Sequence, residues 1–151
     1  MTTHHYRTEI TWTGSTATGY RGYDRTHTAI VGTATPLPLS ADPVFGGDPE
    51  IANPEQLLAV AASSCQLLSF LAAAARRGID VRDYADTATA TMDDAATPAR
   101  VDAVALAPVI GVAAGTDHAA VLDAVAAAHE RCFVAASLVA EVTVDARVED
   151  R

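Results

Sequence analysis

The stretch NPEQLLAVAASSCQLLSFLAAAARRG, residues 53–78, decides how the rest of the chain is read. Asn53 is a good N-cap, Pro54 suits the first helical position, and Gln56 completes a capping box with Asn53. Glu55 sits where the positive end of the helix dipole favours an acid. The helix then runs to Arg77, and Gly78 stops it. Its middle is apolar nearly all round, which predicts burial on most sides. The stretch has the apolar length of a membrane span. However, Ser63, Ser64, Cys65, Gln66 and Ser69 interrupt it and Arg76-Arg77 end it, so it reads as a buried core helix.

Before this helix, residues 6–33 read as strands, with Gly14 and Gly19 marking turns and an arginine-bearing run, Tyr20 to His27, in between. Pro36-Leu37-Pro38-Leu39 fits an edge strand, because proline cannot donate to a ladder. Residues 40–52, with Pro43, Gly46, Gly47 and Pro49, form a loop. After the helix, residues 80–93 alternate as one strand, a turn follows at 93–98, and residues 100–113 alternate as another. Thr116 or Asp117 caps a second helix running from Ala119 to Cys132, and Leu138 to Val148 closes as a strand. The sequence contains no internal repeat and no linker. The order of elements predicts a single α+β domain over residues 1–151, an antiparallel sheet packed on a long central helix.

Composition narrows the function classes. At 151 residues the chain is long enough for a real core, and half of it is apolar, which argues against disorder. The net charge is −9, and all ten basic residues are arginine. An acidic chain without a basic stripe is a poor partner for nucleic acid or an anionic membrane. The opening residues, MTTHHYRTEI, carry no apolar signal region, so a cytoplasmic location is expected. A core this rich in alanine buries little area per residue, which favours a chain that shares core with a second copy.

Two cysteines in such a chain raise a redox or metal question. Cys65, at the middle of the long helix, reads first as a small core residue, and otherwise as a reactive thiol. A reactive thiol there needs a nearby cation, since the helix dipole acts only at the first turn. Cys132 follows His129 by three residues, which reads as a metal corner lacking two ligands or as a thiol that meets Cys65 and cycles with it. Composition leaves all of these open.

Longer motifs go further. They are Trp12-Thr13-Gly14, the run from Tyr20 to His27, and Ser40 to Phe45. Next come Asn53-Pro54-Glu55-Gln56-Leu57-Leu58 with Ser63-Ser64-Cys65, then Gly78-Ile79-Asp80-Val81, Tyr84 and Met92, and finally Ala128 to Ala135. Together, over nearly the whole length, they resemble the OsmC/Ohr family of osmotically induced and organic hydroperoxide resistance proteins. The resemblance implies an intertwined homodimer with active sites at the subunit interface. It implies a thiol-dependent peroxidase in which Cys65 attacks an organic hydroperoxide and Cys132 resolves the product as a disulfide. It implies that Glu55 partners an arginine that activates Cys65, and that a dithiol reductant, lipoylated in several members, restores the thiols. No cofactor or metal is implied. Many relatives carry an arginine where this chain has Gly46, so the activating cation falls to Arg21 or Arg25. Relatives also often carry His where this chain has Gln66, and Asn where it has Ala136. The rival expectation is a binding or sensing protein on the same scaffold, without useful turnover.

Overall fold

The long helix begins and ends on the residues that cap it. Asn53 Oδ1 accepts from the Gln56 N–H at 2.9 Å while Gln56 Oε1 accepts from the Asn53 N–H at 3.0 Å, a reciprocal capping box. The helix, α1, spans Pro54–Arg76. Gly78 takes φ +69°, a conformation that costs glycine no steric penalty. It lets the Ile79 and Gly78 N–H groups donate back to Ala74 and Ala75, closing the helix end. The structure, a computed structural model, describes residues 2–33 and 35–151. The chain forms two compact units, Met1–Leu57 and Leu58–Arg151.

In the first unit, strands β1 (Thr8–Thr11), β2 (His27–Val31) and β3 (Leu37–Leu39) make an antiparallel sheet in that order. Pro38 falls on an edge strand, as its missing N–H requires. The strands expected over residues 6–33 are shorter than the sequence suggests. Between β1 and β2 the chain makes a 3-10 turn at Thr16–Thr18 and a loop that carries the arginines.

In the second unit the three expected strands each break into two. Residues 80–93 give β4 (Val81–Ala85) and β5 (Thr89–Asp93), and residues 100–113 give β6 (Arg100–Leu106) and β7 (Val109–Val112). The last run gives β8 (Glu141–Val144) and β9 (Arg147–Asp150). The halves sort into two sheets, β4-β7-β9 and β5-β6-β8. Each segment crosses from one sheet to the other at its break. Pro108 marks the second break. At the first, Asp86 accepts the Ala107 N–H at 2.8 Å and the Ser63 hydroxyl at 2.5 Å, tying both breaks to α1. The sheets are mixed rather than wholly antiparallel: β6 and β8 run parallel, as do β7 and β9. The cause is the helical connection after β7, which returns the chain in the same direction.

That connection holds α2 (His118–His129), capped by the Asp117 carboxylate, and a short α3 (Phe133–Ser137). The second helix therefore ends three residues before the expected Cys132. Its last bonds tighten, with Arg131 donating to Ala128 and Cys132 to His129, and the chain swings out. One core cluster joins Phe70 and Ala74 of α1 to Ile110, Val112, Val121, Ala124, Val125 and Ala128. A second joins Ala59 and Ala62 to Val104, Leu106 and Ala140. Only one stripe of α1 is buried, at Ala59, Ala62, Gln66, Phe70 and Ala74. Val60 is 61% exposed and Leu68 64%, so the expectation of burial on most sides fails for the single chain.

Candidate thiol site

Cys65 and Cys132 come together. Cys65 stands on α1, half-buried, and Cys132, fully buried, is the extended N-cap residue of α3 at φ −71° and ψ 109°. Cys132 makes no capping bond of its own, which leaves its thiol free to turn toward Cys65. Cys132 lies close enough to Cys65 for each thiol to shift the acidity of the other, and both are reduced.

The two sulfurs are driven apart in acidity. Burial pushes the Cys65 thiol up. The Val134 N–H, the Cys132 thiol, the Phe133 N–H and the Ser69 hydroxyl together outweigh it and hold Cys65 below its ordinary value. Burial raises Cys132 as well. The Ala135 and Val134 N–H groups oppose this, but the neighbouring Cys65 side chain and the charge on it leave Cys132 above its ordinary value. As the pH rises, the pair therefore loses its first proton from Cys65 while Cys132 keeps its own. This is the order needed for one sulfur to attack and the other to resolve. Ser69, one turn beyond Cys65 on the same face of α1, was not anticipated from sequence; its i, i+4 spacing is the signal that would have found it.

The thiols open into a cavity of about 950 Å³ in the second unit, lined by alanines, Leu68, Phe133 and Val134 and also by Arg76, Arg77, Glu130 and Arg131. Gln66, the residue after Cys65, is 1% exposed and donates to the Val125 carbonyl at 3.2 Å, pinning α2 beside the reactive turn. His129 is not paired with Cys132 on one helix, because α2 stops at His129. Its Nδ1 is buried without a hydrogen-bond partner among the described residues. Among those residues no three His, Cys, Asp or Glu gather as metal ligands.

The other expected site residues belong to the first unit. Glu55 occupies the first turn of α1. Arg21 lies exposed in a turn. Arg25 is held firmly. Its Nη1 donates to the Tyr23 carbonyl at 3.0 Å and its Nη2 to the Tyr20 carbonyl at 2.5 Å. The guanidinium also lies 4.2 Å from the Tyr23 ring centre and 5.0 Å from that of Tyr20. Gly46 has a local reason. Gly46 takes φ +82°, and a Cβ there would lie 3.1 Å from the Arg25 guanidinium carbon. A side chain at 46 would press the Arg25 guanidinium aside by a few tenths of an ångström. The structure thus unites Cys65 with Cys132 and leaves Glu55, Arg21 and Arg25 in a separate unit.

The sequence model for OsmC-like protein matches residues 47–147. No curated protein matches the chain in sequence. Among solved structures, an OsmC-like protein of unknown function from Vibrio cholerae is similar, with a TM-score of 0.86 and 24% identity over 95% of this chain and 99% of that one. An organic hydroperoxide resistance protein OsmC from Legionella pneumophila gives 0.65 and 22% over 97% and 99%. One from Elizabethkingia anophelis gives 0.71 and 18% over 99% and 100%. At these identities the likeness is one of fold.

Proposed function

Because the chain belongs to the OsmC-like protein family, we propose that its two thiols form the redox centre of a peroxidase that reduces organic hydroperoxides. The observation that carries this reading is the meeting of two reduced thiols, Cys65 and Cys132, in the lining of one cavity, with Cys65 lowered and Cys132 raised. The Cys65 thiolate attacks the distal oxygen of the hydroperoxide. The O–O bond breaks, the alkoxide leaves and takes up a proton, and Cys65 becomes a sulfenic acid. The Cys132 sulfur then attacks that sulfur, water leaves, and a Cys65–Cys132 disulfide forms. An external dithiol reduces the disulfide and is itself oxidised to a disulfide. Glu55 is assigned the holding of an arginine, Arg25 or Arg21, that stabilises the thiolate and the departing alkoxide.

The reading also assigns a homodimer. A second copy of the chain would cover Val60, Leu68 and Leu71, which α1 leaves exposed, and would roof the cavity. An apolar cavity favours peroxides with a carbon body over hydrogen peroxide.

The test is reduction of cumene hydroperoxide. Cys65→Ser loses all turnover. Cys132→Ser completes one turnover and leaves a sulfenic acid at Cys65 that dimedone traps. Retained activity in Cys65→Ser would show that the nucleophile is misassigned. A second reading, a binding or sensing protein, is favoured by one observation: the groups that lower Cys65 are all neutral donors. That reading is selected if Cys65 oxidises once but dithiols fail to return it.

A further inference from the structure

Among the described residues, three buried side-chain atoms have no hydrogen-bond partner: Gln66 Oε1, His129 Nδ1 and the Tyr84 hydroxyl. An unpaired polar atom in a protein interior is costly, so each one calls for a reason. Tyr84 belongs to β4 and packs on Phe70, with ring centres 6.0 Å apart. The other two belong to one turn. Gln66 Nε2 donates to the Val125 carbonyl at 3.2 Å. Within α2 that carbonyl also accepts the N–H of the residue four positions on, which is His129. The Gln66 amide therefore stands beside the turn that carries the imidazole.

Both residues are tied to a thiol by a short path. Gln66 follows Cys65 directly. The His129 carbonyl accepts the Cys132 N–H at 3.1 Å, where the chain leaves α2 for α3. Neither Gln66 nor His129 lines the cavity, so contact with a substrate gives no reason for either. Gln66 is 1% exposed. A leucine would fill its place without leaving an oxygen unpaired, so packing alone does not account for the amide.

We propose that Gln66 and His129 form a polar strut that positions Cys132 for the resolving step. The imidazole, with its proton on Nδ1, donates to Gln66 Oε1 by a turn of the ring or across one bridging water. The strut holds the junction of α2 and α3 where the Cys132 sulfur can approach Cys65 in line. In that step the Cys132 sulfur bonds to the sulfur of the Cys65 sulfenic acid, the S–O bond breaks, and the hydroxide leaves as water with the Cys132 proton. The strut deepens the reading of the two thiols as a redox pair and rests on it.

The experiment needs no peroxide. The reduced protein is equilibrated with mixtures of oxidised and reduced dithiothreitol, free thiols are alkylated, and the Cys65–Cys132 disulfide is quantified by peptide mass spectrometry. One disulfide is exchanged for one dithiol, so the equilibrium constant measures how well the fold presents the two sulfurs to each other. Gln66→Leu and His129→Leu should each lower the constant by about tenfold, as for one buried polar atom left without its partner. The double variant should also fall by about tenfold rather than about a hundredfold, because the same bond is lost in all three. His129→Asn, whose amide nitrogen takes the place of Nδ1, should keep the parent constant. Val112→Ala, in the core cluster that α1 and α2 share, should lower the melting temperature and leave the constant unchanged. If the leucine variants keep the parent constant, or if their two effects multiply, the strut is overturned and the redox pair stands. If Gln66→Leu does not fold, His129→Leu against His129→Asn decides, and equal constants overturn the strut. If the parent forms no Cys65–Cys132 disulfide, the redox reading falls and the strut with it.

Discussion

Cys65 is pulled in two directions, and small donors decide the outcome. Its burial favours the neutral thiol, and four hydrogen-bond donors favour the thiolate. Ser69 is the one most easily removed without disturbing the chain path. Ser69→Ala should raise the Cys65 pKa. Reactivity grows as the pH rises through that pKa, so the iodoacetamide rate profile should move to higher pH. At neutral pH the rate should fall by about tenfold or more, as for loss of one bond to a charged group. An unchanged profile would remove Ser69 from the site. Little of this was legible in the sequence. The motifs marked Cys65 and Cys132, but nothing at Glu130-Arg131-Cys132 is a glycine or proline that would announce the end of α2. The swing that puts Cys132 before a new helix, with the Phe133 and Val134 N–H groups turned on Cys65, is a product of tertiary packing. The seat of Arg25 over Gly46 was equally hidden, since it joins residues twenty-one positions apart through space.

Among the elements, α1 was the most legible because its caps are local chemistry. Asn53, Gln56 and Gly78 act on neighbours in sequence, and all three act as read. The strands were less legible, since alternation records which face is buried and not which sheet a residue joins. Pro108 was a visible break in one run; Asp86 and Asp145 were weaker ones. What α1 contributes to stability sits in one stripe, and Phe70 is its largest member, fully buried against Ile110, Val121 and Val125. Phe70→Ala should cost about 3–5 kcal/mol, read as a lower midpoint in denaturant with little change in slope. Val60→Ala, on the exposed face, should cost well under ~1 kcal/mol by the same measurement in dilute protein. Equal losses at both positions would mean that the stripe is misplaced.

At the scale of the molecule, the exposed apolar residues of α1 set an expectation about assembly. Light scattering at micromolar concentration should report twice the 15.6 kDa chain mass. Val60→Glu with Leu71→Glu should shift the population toward single chains, because each buries a charge at the contact. A stable single chain in the parent would remove the assigned dimer. The threading of the second unit has a different consequence. Each of its three extended segments gives one half to β4-β7-β9 and the other half to β5-β6-β8. Neither sheet can lose its order without dragging on the chain of the other, and Asp86 fastens the crossing to α1. Residues 58–151 should therefore melt all at once. Calorimetric and van't Hoff enthalpies for that transition should agree, and the slowest-exchanging amides of the two sheets should share one opening free energy. Asp86→Asn, which weakens the fastening, should lower the melting temperature of both sheets together. Separate melting of the two would mean that the crossings act as hinges between independent parts.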